Sequence, residues 1–206
     1  MCVRFFIDKE SRELLRCREF AGISPLADRF RHKLGREILT DGEIGPASVT
    51  PAIATRRDGE TAVFPMQWGF SMQKDKKGPL LLNARTETAD VKPTLREAWR
   101  AHRCIVPASY YFEWEHFSDE NGKVRTGRRF SISPEGENET CLCGLYRLEE
   151  GLPHFVILTA QASDSVSAIH DRMPLILPKS RTEEWIDPKS DPKDLLRYAL
   201  TEMKAE

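Results

Sequence analysis

With 206 residues, 40% of them hydrophobic and 31% charged, the chain has the composition of one folded domain and not of a disordered segment. A net charge of −1 gives no global attraction to nucleic acid, so any such binding must come from local basic patches. Five cysteines at irregular spacing argue against a disulfide framework and fit a reducing compartment. With no apolar run long enough to cross a bilayer and no secretory leader, the expectation is a monomeric cytoplasmic protein with no membrane partner.

The first stretch, Met1-Cys2-Val3-Arg4-Phe5, places a small residue after the initiator methionine, the context in which that methionine is commonly trimmed. Trimming leaves Cys2 with an α-amine of pKa about 8 beside a thiol of pKa about 8.5. That pair captures aldehydes: the amine forms a Schiff base and the thiol closes a five-membered thiazolidine ring. After a short strand from Val3 to Phe6, Asp8 to Phe20 has helical composition with Asp8 as the cap. Ser24-Pro25 reads as an N-cap and first helical position, with the helix ending at Gly35.

Val49 to Thr55 and Thr61 to Trp68 read as a hairpin turning at Asp58-Gly59. A Lys- and Gly-containing loop with Lys74, Lys76 and Lys77 follows, then Leu80-Leu81-Leu82 leading into Asn83-Ala84-Arg85-Thr86-Glu87-Thr88. Thr94 to His102 is expected to be helical. Arg103 to Pro107 and the aromatic-rich Tyr110 to Glu115 read as strands. Asn121-Gly122 marks a second hairpin, with Arg129 to Ser133 pairing back. Thr140 to Tyr146 and His154 to Thr159 extend the sheet, and Cys141 and Cys143 are expected in its core. Arg181 to Trp185 and Pro192 to Met203 read as closing helices. The fold class is α+β: a single domain over residues 1–206, with mixed, mostly antiparallel, barrel-like twisted sheets flanked by short helices.

Three polar islands interrupt apolar surroundings, where buried polar groups need partners and buried charges shift in pKa. They are Asn83 to Thr88, Glu113 between Tyr110-Tyr111-Phe112 and Trp114, and His170-Asp171-Arg172-Met173-Pro174. A carboxylate among aromatic rings can act as an acid or base, and an imidazole titrates near neutrality. With Cys2 they make a nucleophile, an orienting amide, an acid/base and a proton donor. No His or Cys spacing resembles a metal site, and no Gly-rich phosphate loop occurs, so neither metal nor cofactor is expected.

In order and spacing, Met1-Cys2-x-Arg4-Phe5, Trp68-Gly69, Asn83-Ala84-Arg85-x-Glu87-Thr88, Arg103-Cys104, Phe112-Glu113-Trp114 and His170-Asp171-Arg172-Met173-Pro174 resemble the SOS response-associated peptidase (SRAP) family. The resemblance implies a substrate of single-stranded DNA containing abasic sites, a thiazolidine crosslink at Cys2, and autocatalytic removal of Met1. It implies that Asn83 holds the Cys2 terminus, Glu113 contacts the amine and shuttles protons, and His170 assists ring opening of the sugar. Arg4, Arg85 and Arg172 become phosphate contacts, and Trp68 and Pro46 wedges against bases beside the lesion. Glu43-Ile44-Gly45-Pro46 stands where the family often has Asn-x-Ala-Pro, and Val3 where glycine is usual. Two other readings fit the residues: an N-terminal-nucleophile amidohydrolase using Cys2, and a plain single-strand-binding module using Trp68 and the arginines.

Overall fold

The computed structural model describes residues 3–73 and 78–206. Cys2 and the Lys74, Lys76 and Lys77 group lie outside the described residues.

The chain opens with β1 (Arg4–Ile7), α1 (Arg12–Gly22) and α2 (Pro25–Leu34). Ser11 caps α1 by accepting the Leu14 amide, while Asp8, expected in that role, accepts the Glu10 amide in the turn ahead. The second helix has the ends its sequence predicts: Ser24 Oγ accepts from the Leu26 amide, Pro25 takes the first turn, and Gly35 closes it at φ 60°.

Next come β2 (Gly42–Ile44), β3 (Val49–Thr55), β4 (Thr61–Trp68), β5 (Phe70–Ser71), β6 (Leu80–Leu81), β7 (Asn83–Arg85), α3 (Thr86–Ala89) and α4 (Arg96–Ala101). The strands β8 (Arg103–Ala108), β9 (Tyr110–Ser118), β10 (Val124–Pro134), β11 (Thr140–Glu149) and β12 (Leu152–Gln161) form the middle of the chain. It ends with α5 (Asp164–Ser167), β13 (Arg172–Pro174), α6 (Thr182–Ile186), α7 (Pro192–Leu195) and β14 (Met203–Ala205).

Five strands close on themselves in the order β11, β8, β3, β4, β12 and back to β11. All neighbours in this barrel are antiparallel except β4 and β12, which meet in parallel at His154 against Gln67 and Phe155 against Trp68. A second antiparallel sheet runs β14, β10, β9, β1, β2. The period-2 alternation of the barrel strands then feeds two cores. Cys104, Val106, Phe155 and Ile157 share one with Phe5, Ile7 and Tyr111 of the second sheet, whereas Ile105, Val156 and Leu158 share the other with Trp99 and Trp185 of α4 and α6. Gly144 sits where barrel strands approach closely: a Cβ there would lie 2.9 Å from both Cys104 Sγ and Val156 O.

One expectation is corrected. The Pro192 to Met203 helix is only four residues of α7 plus a 3-10 turn at Leu196–Tyr198; the remainder departs to pair as β14 with Ile132 to Pro134 of β10. A helical start with Pro192 and the Asp191 cap is present, but the chain end gains more from closing a sheet edge than from extending the helix. Arg103, at the start of β8, is 1% exposed. Its guanidinium donates to the carbonyls of Trp99, Arg100, Trp185, Asp187 and Ser190, so it caps the C-terminal ends of both α4 and α6. Cys141 and Cys143 are buried strand thiols, and burial pushes the Cys141 pKa up to about 12.

Candidate active site

Strand β9 is aromatic-rich and central, lying between β1 and β10, and it carries Glu113 at 1% exposure. Arg4 of β1 is in register with Phe112, one residue from Glu113, so the first strand of the chain runs beside the buried carboxylate. Glu113 Oε1 accepts the Trp114 amide at 3.2 Å.

Past the C-terminal end of α5, the His170 amide donates to Val166 O, and the ring reaches the neighbourhood of β9. There His170 meets a residue the sequence reading passed over, His116, edge to face at 5.2 Å between centroids. Donor atoms of Glu113, His116 and His170 all lie within 4.8 Å of one another. On a regular strand Glu113 and His116, three apart, would face opposite sides. Between their registers β10 carries an extra residue around Gly127, and the added twist of such a bulge re-aims side chains. A Cβ at Gly127 would lie 2.6 Å from Glu115 Oε2, so a larger residue at that bulge would displace the Glu115 carboxylate.

Two contacts meet at His170 Nδ1: the Arg172 amide donates to it at 2.9 Å, and Asp171 Oδ1 lies 2.8 Å away. The first suits an unprotonated Nδ1 and the second a protonated one. Burial, the largest cause, pushes the His170 pKa down against the opposing pull of Glu113 and Asp171, which favours the neutral ring. Asn83 stands half-buried on β7, in register with Ile157 of β12, and is not one of this group of three.

Trp68 is corrected from a base wedge to a core residue. It is 0% exposed, stacks on Phe155 at 6.0 Å, touches Phe5 at 5.3 Å and donates from Nε1 to Leu82 O. An indole needs both apolar contact and a partner for its N–H, and the barrel wall supplies both. Its backbone nevertheless serves the surface: Trp68 O accepts the Ala47 amide and Trp68 N donates to Ser48 O. Those bonds anchor the turn Gly45 to Ser48, in which Pro46 is exposed and Ala47 has φ 63°.

Arg172, expected as a phosphate contact, is engaged within the protein. Its guanidinium, 11% exposed, grips Glu87 with two bonds of 2.5 and 2.9 Å and donates to Thr159 O at 2.7 Å. Arg4 is about half exposed but pairs with Glu43 at 2.9 Å, and Arg129 pairs with the other oxygen of the same carboxylate at 3.2 Å. Gly45 lies against this corner, where a Cβ would come within 3.3 Å of Arg4 Nη1. Arg85 is exposed at the start of α3, with no side-chain hydrogen bond or ion pair among the described residues. A cleft of about 1040 Å³ beside Leu26, Phe64, Tyr146 and Pro153 is lined by none of the expected site residues.

A family profile described as SOS response associated peptidase (SRAP) matches residues 1–206. The chain belongs to this family. It is 30% identical over 203 residues to the abasic site processing protein YoqW of Bacillus subtilis, covering 92% of this chain and 88% of that one. To the abasic site processing protein YedK of Escherichia coli it is 30% identical over 174 residues, covering 81% and 76%. A crystal structure of a Bacteroides thetaiotaomicron protein has the same fold, with a TM-score of 0.70 at 22% identity over 99% of this chain and 90% of that one. No helix among the described residues of this SRAP chain is long and apolar enough to cross a membrane.

The Arg172 clamp gives this SRAP chain a testable acid response. Hydrogen bonding to Arg172 holds the Glu87 pKa down to about 2. A depressed carboxylate stabilises the fold above its unfolded pKa of about 4.3 and loses that contribution as pH falls toward the folded value. Denaturation followed from pH 5 to pH 2 is therefore expected to show a steeper loss of stability in the wild type than in Glu87→Gln. Parallel curves would mean that the clamp adds nothing to folding.

Proposed function

We propose that the chain processes abasic sites in single-stranded DNA, capturing the ring-opened sugar aldehyde through Cys2. Membership of the SRAP family and the names of its relatives support the substrate. The observation that carries the chemistry is the buried Glu113 carboxylate beside two imidazoles, on the strand that pairs with the first strand of the chain.

The reaction starts with hydrolysis of the Met1–Cys2 peptide bond, which consumes one water, releases methionine and frees the Cys2 amine. That amine adds to the sugar aldehyde, and loss of one water leaves a Schiff base. Sulfur then adds to the C=N carbon while the thiol proton passes to nitrogen, closing the thiazolidine with no oxidant or reductant. Glu113 accepts and returns the protons moved at the amine, and His170 assists opening of the sugar ring. Asn83 holds the Cys2 terminus. Arg85 contacts phosphate directly, Arg4 does so by exchanging Glu43 for a phosphate oxygen, and the exposed Pro46 wedges against a neighbouring base. Free thiols at the described cysteines Cys17, Cys104, Cys141 and Cys143 agree with a cytoplasmic setting.

The direct test is incubation with an oligonucleotide carrying one abasic site, followed by heating and denaturing electrophoresis. The wild type is expected to give a heat-stable shifted band and Cys2→Ala none; the same band in both would overturn the proposal. An intact mass lacking Met1 is the accompanying expectation, because a retained methionine blocks the amine.

A further inference from the structure

We propose that Glu113, His116 and His170 form a binding site for a divalent transition-metal ion such as zinc, and that an ion held there suspends aldehyde capture. The second half rests on the function proposed above; the first does not.

The donor set is one carboxylate and two imidazoles, which suits zinc, cobalt and iron(II) and not the oxygen-seeking calcium or magnesium. Because the three donor atoms lie within 4.8 Å of one another, a point within about 2.8 Å of all of them exists. Zinc bonds of about 2.0 to 2.2 Å then require each donor to move inward by less than about 1 Å. The group can make that adjustment. Glu113 is buried and His170 half-buried, so two donors are held in place, while the exposed His116, on the irregular stretch of β9, supplies the movement.

A second observation points the same way. Asp171 Oδ1 lies 2.8 Å from His170 Nδ1, the position from which a carboxylate orients an imidazole that binds metal through Nε2. Ligation at Nε2 would move the ring proton to Nδ1 and favour this contact over the one from the Arg172 amide. Three protein ligands leave a fourth position open, the arrangement of reactive rather than purely structural zinc sites. An ion here holds the carboxylate electron pair of Glu113 and the Nε2 pair of His170, and proton transfer through either stops while it is bound. Sequence spacing conceals the site, because His170 comes from a distant segment of the chain.

The test has two arms, so that failure of the site and failure of the function are separable. Without DNA, cobalt and zinc are titrated into full-length Cys2→Ala and into Cys2→Ala/His116→Ala, with Cys2 removed because an aminothiol chelates zinc by itself. One cobalt per chain with visible absorption bands is expected, and a loss of affinity of about tenfold or more without His116. Equal affinity in both proteins, or no binding at tens of micromolar metal, overturns the site. In the second arm, wild-type crosslinking to the abasic oligonucleotide is compared in chelator-treated buffer and in excess zinc. Zinc is expected to suppress it reversibly, and the ratio of the two rates to fall in His116→Ala. Metal binding that leaves crosslinking untouched overturns the second half alone. Metal binding by a protein that never crosslinks overturns the function and leaves the site standing.

Discussion

Glu113→Gln is expected to slow crosslinking to abasic single-stranded DNA by about 100-fold or more, while leaving affinity for the same oligonucleotide within about threefold. The substitution preserves shape at a position with 1% exposure and keeps an oxygen able to accept the Trp114 amide, so the fold should survive. What it removes is the capacity to take up and release a proton beside His170. Rates measured under single-turnover conditions, set against binding by fluorescence anisotropy, separate the two effects. Comparable losses in both quantities would make Glu113 a binding or structural residue and remove it from the chemistry.

Arg103→Met is expected to produce the largest loss of stability of any single change considered, about 3 kcal/mol or more, out of the roughly 5 to 15 kcal/mol typical of a domain. Methionine fills the volume of the stem but withdraws every donor from five buried or half-buried carbonyls at the ends of α4 and α6. Solvent cannot replace those bonds at a site 1% exposed. Arg103→Lys keeps the charge but not the planar fork, so it is expected to recover less than half of the loss. The midpoint and slope of chemical denaturation decide the matter, and an unchanged midpoint in Arg103→Met would refute the assignment.

The contrast between these two residues shows what the sequence made legible. The β3–β4 hairpin, the Asn121-Gly122 turn and both ends of α2 follow from local chemistry: turn residues, caps and period-2 runs carry their own instructions. Glu113 and His170 stood out as polar residues in apolar surroundings, and they do converge. Trp68 was misread for a physical reason, and the burial of Arg103 was not legible for the same one. An aromatic or cationic side chain looks alike in sequence at a nucleic-acid surface and in an interior, and only the carbonyl or carboxylate from a distant segment distinguishes them. His116 was missed because odd spacing on a strand places it away from Glu113 unless a bulge intervenes, and that bulge is written in the partner strand at Gly127. The end of the chain looked helical because strand pairing with β10 leaves no mark within residues 203–205.

The pairing of β1 with β9 carries a consequence for the timing of synthesis. Phe5 can pair early with Ile44 of β2, but Arg4 pairs with Phe112, which the ribosome adds after half of the chain, and β10 must then close the other side of β9. Contacts of such high sequence separation form late, because the intervening loop must first be closed. By placing Glu113 and His116 on β9 and His170 beyond it, the topology lets this cluster assemble only after translation has passed all three, so the site is a product of completed folding.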